Sequence, residues 1–419
     1  MPATLNIVGY LKGEKTGMSK SFRVPLVCAG VLAMLFCMSQ AASGQLIISE
    51  FRLRGPNGAN DEFIEIYNNS GADHTVAASS GSGYGVAASD GTTRCSLPNG
   101  TVIPNRGHYL CVNSVGYSLA SYPAGNGTTA TGDATYTTDI PDNAGIALFN
   151  NNSGGLSYSL ANRMDAVGST SEANTLYKEG TGIPITGAEI STNLEHSLVR
   201  HQIPGLPVDT GNNATDFIGV DVAGNNIGGT QRLGAPGPEN LASPITRIGQ
   251  IPGLLLDSTK SASAAPNRVR DLNGEGNNPA YATFGTLSIR RRFVNNTGAN
   301  VTRLRFRIAN ITTFAVPGGT ADLRALTSSD TTAGGVLDAA TCAAEPGSPA
   351  PPCIVTVRGT TLDQPPAQSN GGGWNSSLSV GFITLAQPLA AGDSVNVQFL
   401  LGVQQTGTFR FFVNVEALP

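Results

Sequence analysis

Two runs in the second half of the chain, TLSIRRRFV at Thr286–Val294 and VTRLRFRI at residues 301–308, alternate apolar and polar residues with a period of two. That period belongs to an extended strand. It sets Leu287, Ile289 and Phe293 on one side with Arg290 and Arg292 on the other, and Leu304, Phe306 and Ile308 opposite Arg303, Arg305 and Arg307. Arg291 falls on the apolar side, which implies a bulge or a strand end. The residues between the runs, NNTGAN, are turn formers, so the pair reads as a β-hairpin with a loop longer than two residues. Residues 394–403 and 408–417, flanking QQTG, read as a closing hairpin in the same way. Composition points in the same direction: 52 glycines, 25 prolines and only 13% charged residues favour many short strands and turns. A hydrophobic content of 40% is enough to fill sandwich cores. At 419 residues the chain exceeds what one core usually holds, so two all-β domains are expected.

Ahead of them, residues 18–44 read as a secretory signal. Lys20 and Arg23 form the basic start, VPLVCAGVLAMLFCM the apolar middle, and Ala42-Ser43-Gly44 a small-residue cleavage site before Gln45. The apolar run falls short of the ~20 residues that a spanning helix needs. Residues 1–17 read as an over-extended start, and the mature chain is expected to carry no transmembrane segment. Removal of the signal takes Cys28 and Cys37 with it, leaving Cys95, Cys111, Cys342 and Cys353 for an oxidising compartment. Four cysteines allow three pairings. The local one, Cys95 with Cys111 and Cys342 with Cys353, is favoured because each pair falls within one expected domain. Zinc is the alternative, but neither pair has CxxC spacing or a nearby histidine pair.

Residues 46–68, LIISEFRLRGPNGANDEFIEIYN, contain two strand-like runs around a Gly-Pro-Asn-Gly turn. In the first, Leu46 and Ile48 share one side and Ile47 and Phe51 the other. In the second, Ile64 and Ile66 oppose Phe63, Glu65 and Tyr67, so Glu65 either is buried with a partner or lies on a solvated face. Further strands are expected at residues 84–88, 107–112, 146–149, 163–168 and 194–200. The "ISE … DEFIEIYN" opening, Asp165-Ala166-Val167-Gly168, residues 213–217 and the closing LGAPGPEN of residues 233–240 resemble, in the proper order, a bacterial lamin tail domain. That resemblance spans residues 45–240 and implies an immunoglobulin-like β-sandwich used for display and interaction. Gly/Ser/Thr-rich insertions near residues 77–100 and 120–139 depart from the compact form. Residues 241–252 read as a linker, and residues 253–419 resemble a second, generic bacterial immunoglobulin-like module on pattern alone.

Few residues suggest chemistry. Glu50, Asp61, Glu62 and Glu65 are the carboxylates on which an oxygen-lined site for a hard cation such as calcium would draw. The competing reading has them capping loops and pairing with Arg52 or Arg54. Residues 271–276, DLNGEG, echo a calcium loop, but Ala282 stands where a bidentate Glu is required, so a turn is expected. The histidines, His74, His108, His196 and His201, have default roles in packing or at the surface. There is no GxSxG, HExxH or Walker A motif. On antiparallel pairing, Arg290, Arg292, Arg303, Arg305 and Arg307 would gather into one basic patch suited to an extracellular polyanion or surface polysaccharide. A solvated sheet face protected against edge pairing is the plainer alternative. The expected function is that of an exported, non-enzymatic binding or structural module of the cell surface or extracellular matrix. The rival is an accessory or catalytic part of an exported metal-dependent hydrolase. Secretion to the extracellular space or periplasm is expected, with no cofactor beyond the calcium candidate.

Overall fold

The computed structural model describes residues 46–185, 191–202, 205–225, 232–273, 281–313 and 319–419. The signal region and residues 274–276 of the calcium-like loop lie outside them. What is described is almost all β. In the first half, a six-stranded sheet runs in the order Ala134–Tyr136, His108–Asn113, Phe63–Asn68, Leu46–Arg52, His196–Arg200, Phe217–Asp221. A four-stranded sheet, Arg163–Val167, Ile146–Phe149, Gly83–Ala88, Thr93–Pro98, faces it. Their inner faces share one core, in which Ile48, Ile64 and Ile66 of the first sheet meet Val86, Leu97 and Leu148 of the second.

One local device positions everything that follows. The register between Leu46–Arg52 and Phe63–Asn68 shifts between Ile48 and Glu50, so that Ile48 pairs with Ile66 but Glu50 with Glu65. This bulge turns the strand by one residue. Leu46 and Ile48 before it and Phe51 after it therefore all enter the same core, correcting the strict alternation expected from sequence. Glu50 is thereby set beside Glu65 on the outer face.

The cysteines pair as expected, Cys95 with Cys111 and Cys342 with Cys353. Cys95 lies on Thr93–Pro98 and Cys111 on His108–Asn113, so the first bridge pins the two sheets together across their core. Thr93–Pro98 was not expected as a strand, because its small and polar residues carry no alternation.

The second half also has two sheets. One runs in the order Ile245–Thr246, Phe411–Leu418, Arg303–Ile311, Ser377–Ser379, Thr361–Leu362; the other in the order Gly253–Leu255, Thr286–Val294, Ser394–Gln405, Asp322–Leu326. Neither expected hairpin forms. Thr286–Val294 pairs with Ser394–Gln405, and Arg303–Ile311 with Phe411–Leu418, so both connections arch from one sheet to the facing one. The reason is burial: each alternating run has a side that is apolar, apart from Arg291 in the first, and facing sheets bring those sides together. Phe293 and Phe306 lie 4.6 Å apart, and Phe306 and Phe399 4.9 Å, at the centre of that core. Thr286–Val294 pairs without a register break, so the bulge expected at Arg291 is absent. Arg291 is instead buried, donating to the carbonyls of Asn267 and Arg290. The expected linker supplies a strand, Ile245–Thr246, pairing with Ala417 and Glu416. No helix among the described residues is long and apolar enough to cross a membrane.

Replacing both Cys95 and Cys111 by Ala should lower unfolding free energy by about 3 kcal/mol, the value expected for a closed loop of roughly 15 residues. Chemical denaturation of the oxidised parent and the double variant measures it.

Candidate functional site

The outer face of the six-stranded sheet of the first half and the outer face of the sheet holding Arg303–Ile311 are pressed together, with residues 233–240 threaded beside them. At one side this junction is apolar: Val199, Ile218 and Val220 of the first half join the core cluster that contains Trp374. At its centre it is ionic. Arg305 donates from Nε to Glu416 Oε2 at 2.8 Å and from Nη2 to Glu239 Oε1, and Arg307 donates from Nε to Glu416 Oε1 at 2.9 Å. Arg307 Nη2 lies 3.2 Å from Glu239 Oε1. Arg305 is 0% and Arg307 2% exposed. Arg305 also reaches the carbonyl of Pro123, and Arg307 the carbonyl and side chain of Asn375.

The strap LGAPGPEN makes this approach possible. Gly237 donates its N–H to Glu50 Oε1, Glu239 its N–H to Glu65 Oε2 at 2.7 Å, and Ala235 its N–H to the carbonyl of Trp374. A Cβ at Gly237 would stand 2.2 Å from Arg307 Nη1, and one at Gly234 2.3 Å from the Trp374 carbonyl, so only glycine allows the strap to lie so close.

Behind the ion pairs lie Glu50 and Glu65, both buried and neither paired with a guanidinium. Glu50 accepts from Ser197 at 2.6 Å and from Asn375 Nδ2 at 3.0 Å; Glu65 accepts from Ser49 and the Glu239 N–H. Burial raises both carboxyls above their ordinary range, and for Glu65 the neighbouring Glu50 adds to the rise. His108 Nε2 stands 3.2 Å from Glu239 Oε2 and 3.8 Å from Glu65 Oε1, while burial, followed by the charges of Arg307 and Arg305, holds the imidazole well below its usual pKa. These groups line a small, partly open space of about 10 Å³, room for one water. Tyr67 lines it too, and its buried hydroxyl has no hydrogen-bond partner among the described residues.

The residues singled out from sequence divide. Glu50 and Glu65 come together, whereas Asp61 and Glu62 lie elsewhere, so the four carboxylates form no common cation site. Asp61 pairs with Arg52 and caps the turn by accepting from the Asn57 N–H at 3.0 Å. Glu62 accepts from Asn113 Nδ2 at 2.8 Å and the Ile140 N–H at 2.7 Å. The five-arginine patch does not exist. Because the two alternating strands belong to facing sheets, Arg290 and Arg292 lie on one outer side of the second half and Arg303, Arg305 and Arg307 on the opposite one. Arg305 and Arg307 are buried in the junction, Arg303 donates to Ser379, and Arg292 to the carbonyl of Ala340. His108, Glu239, Glu416 and Asn375 were missed as site residues. Only Glu239 carried a signal, as the single charge in the Gly/Pro strap.

His196 is buried, its ring nitrogen 3.0 Å from the Leu194 carbonyl, and desolvation lowers it to about 4. His74 sits 3.2 Å from the Tyr84 hydroxyl. Compared with known proteins, the chain matches no family model, no curated protein and no solved structure.

Removing one partner of the ionic centre leaves the rest buried and uncompensated, so Arg305→Ala should cost about 3–5 kcal/mol in a urea titration. The Glu62 carboxyl supplies a pH signature: burial pushes it up to about 8. Its folded-state pKa lies above the unfolded value near 4.5, so the unfolded chain releases this proton first. Its contribution is therefore present at low pH and lost as pH rises from about 4.5 to about 8. Glu62→Gln should make the decline of the urea midpoint across that window shallower, whatever its pH-independent cost.

Proposed function

We propose that this chain is an exported, non-catalytic structural and display module of the cell surface or extracellular matrix. It comprises a lamin-tail-like, immunoglobulin-like sandwich over residues 45–240 and a second immunoglobulin-like sandwich over residues 253–419. The observation that carries the reading is the destination of the charged residues. Arg305 and Arg307, held by Glu416 of their own half, bind Glu239 of the strap over the first half instead of lining an open cleft. A protein built to hold two modules at a fixed angle needs such a junction, and any ligand is then met by loops on a rigid scaffold. Two disulfides, each within one half, suit a chain that works in an oxidising compartment.

Expression of the full chain in a bacterium with an intact envelope tests export. The product is expected outside the cytoplasm, beginning at Gln45, with no thiol free to react with maleimide. A full-length cytoplasmic product with free thiols rejects the proposal. Calorimetry tests the rigid fusion: the halves should melt in one transition, and two independent transitions in the parent protein would overturn it.

A further inference from the structure

The junction holds four buried carboxyl groups, Glu50, Glu65, Glu239 and Glu416, against two guanidiniums, Arg305 and Arg307. Glu239 and Glu416 share both cations, and Glu50 and Glu65 are left with neutral donors. A surplus of two buried carboxyls is resolved either by two protons or by one divalent cation.

The geometry points to the cation, and we propose that the junction is a binding site for a divalent transition-metal ion held by Glu65 Oε1, His108 Nε2 and Glu239 Oε2. These three atoms lie within 4.8 Å of one another. The His108 nitrogen stands 3.2 Å and 3.8 Å from the two oxygens. Bonds of about 2.0–2.2 Å to one tetrahedral centre separate neighbouring ligand atoms by roughly 3.3–3.6 Å, so small adjustments seat an ion. Glu239 divides its oxygens between the two tasks: Oε1 faces Arg305 and Arg307, and Oε2 faces His108.

A second observation is independent of the acidic cluster. Tyr67 lines the same one-water space, its ring lies 5.1 Å from that of His108, and its buried hydroxyl has no partner among the described residues. A water on the open position of the ion would take the hydrogen bond that Tyr67 lacks. One imidazole and two carboxylates suit zinc and its neighbours in the first transition row. Calcium, which takes six to eight oxygens, is poorly served by three protein ligands. The other convergence among the described residues, Asp165, Glu179 and Asp209, already has its cations: Arg200 bonds Asp165 and Asp209, and Arg163 bonds Glu179. Since the proposed ligands come from the first half and from the strap over it, the ion would enter as the halves dock. Its role would be to lock the junction, and it stands or falls separately from the export reading.

The chain from Gln45 should be unfolded in chelator, refolded with Zn²⁺, Ca²⁺ or no metal, and desalted. Elemental analysis is expected to find one zinc per chain. The melting temperature should rise with zinc on the order of 5 °C at ~100-fold the dissociation constant, and not with calcium. Co²⁺ in place of zinc should give visible absorption bands of four-coordinate type, absent from His108→Gln. Parent protein that refolds but retains no zinc, and melts identically with and without it, overturns the proposal without recourse to any variant. Equal stabilisation by calcium, or cobalt bands that persist in His108→Gln, also overturns it.

Discussion

Two guanidiniums and two carboxylates closed off from water form the constraint on which this molecule depends. Each charge forfeits its hydration when the halves meet, and only good mutual geometry offsets that loss. Arg305 and Arg307 satisfy the condition by gripping opposite oxygens of Glu416 while sharing one oxygen of Glu239. The arrangement tolerates little sliding, because a shift of one residue on Arg303–Ile311 would replace an arginine at the junction with Leu304 or Phe306. Ionic contact thus sets the register of docking, and Val199, Ile218, Val220 and Trp374 add the apolar burial alongside.

Several oddities of the chain follow from that contact. A strand with charge at every second position would ordinarily face solvent, and here the outer sheet face of the first half of the chain covers it. The Gly/Pro strap at residues 233–240 has no room for side chains at Gly234 and Gly237, because Trp374 and Arg307 occupy that space. The bulge after Ile48 delivers Glu50 to the junction without withdrawing Phe51 from the core. Each is a local irregularity whose cause lies far away in sequence.

Strands were the most legible part. Thr286–Val294 and Ile146–Phe149 are read directly from alternation or from short apolar runs. Thr93–Pro98 was silent because Thr, Ser and Cys give no periodic contrast. Strand partners are not legible for a clear reason: a hairpin and an inter-sheet arch both need two alternating runs joined by turn residues. The difference lies in whether the apolar sides lie beside or opposite one another. The basic patch rests on the same ambiguity, since it needs pairing between strands that belong to facing sheets.

The all-β class, most strand positions and the favoured local pairing of the cysteines were legible in the chain, because these follow from period-two patterning and short chain separation. Glu50, by contrast, reaches the face of Glu65 only through the bulge after Ile48. Only tertiary structure decided that the arginines point inward, that His108 meets Glu239, and that the first half docks on the second. Those contacts join residues 66 to 325 positions apart. Their energies depend on how completely water is excluded, which no local pattern in the chain encodes.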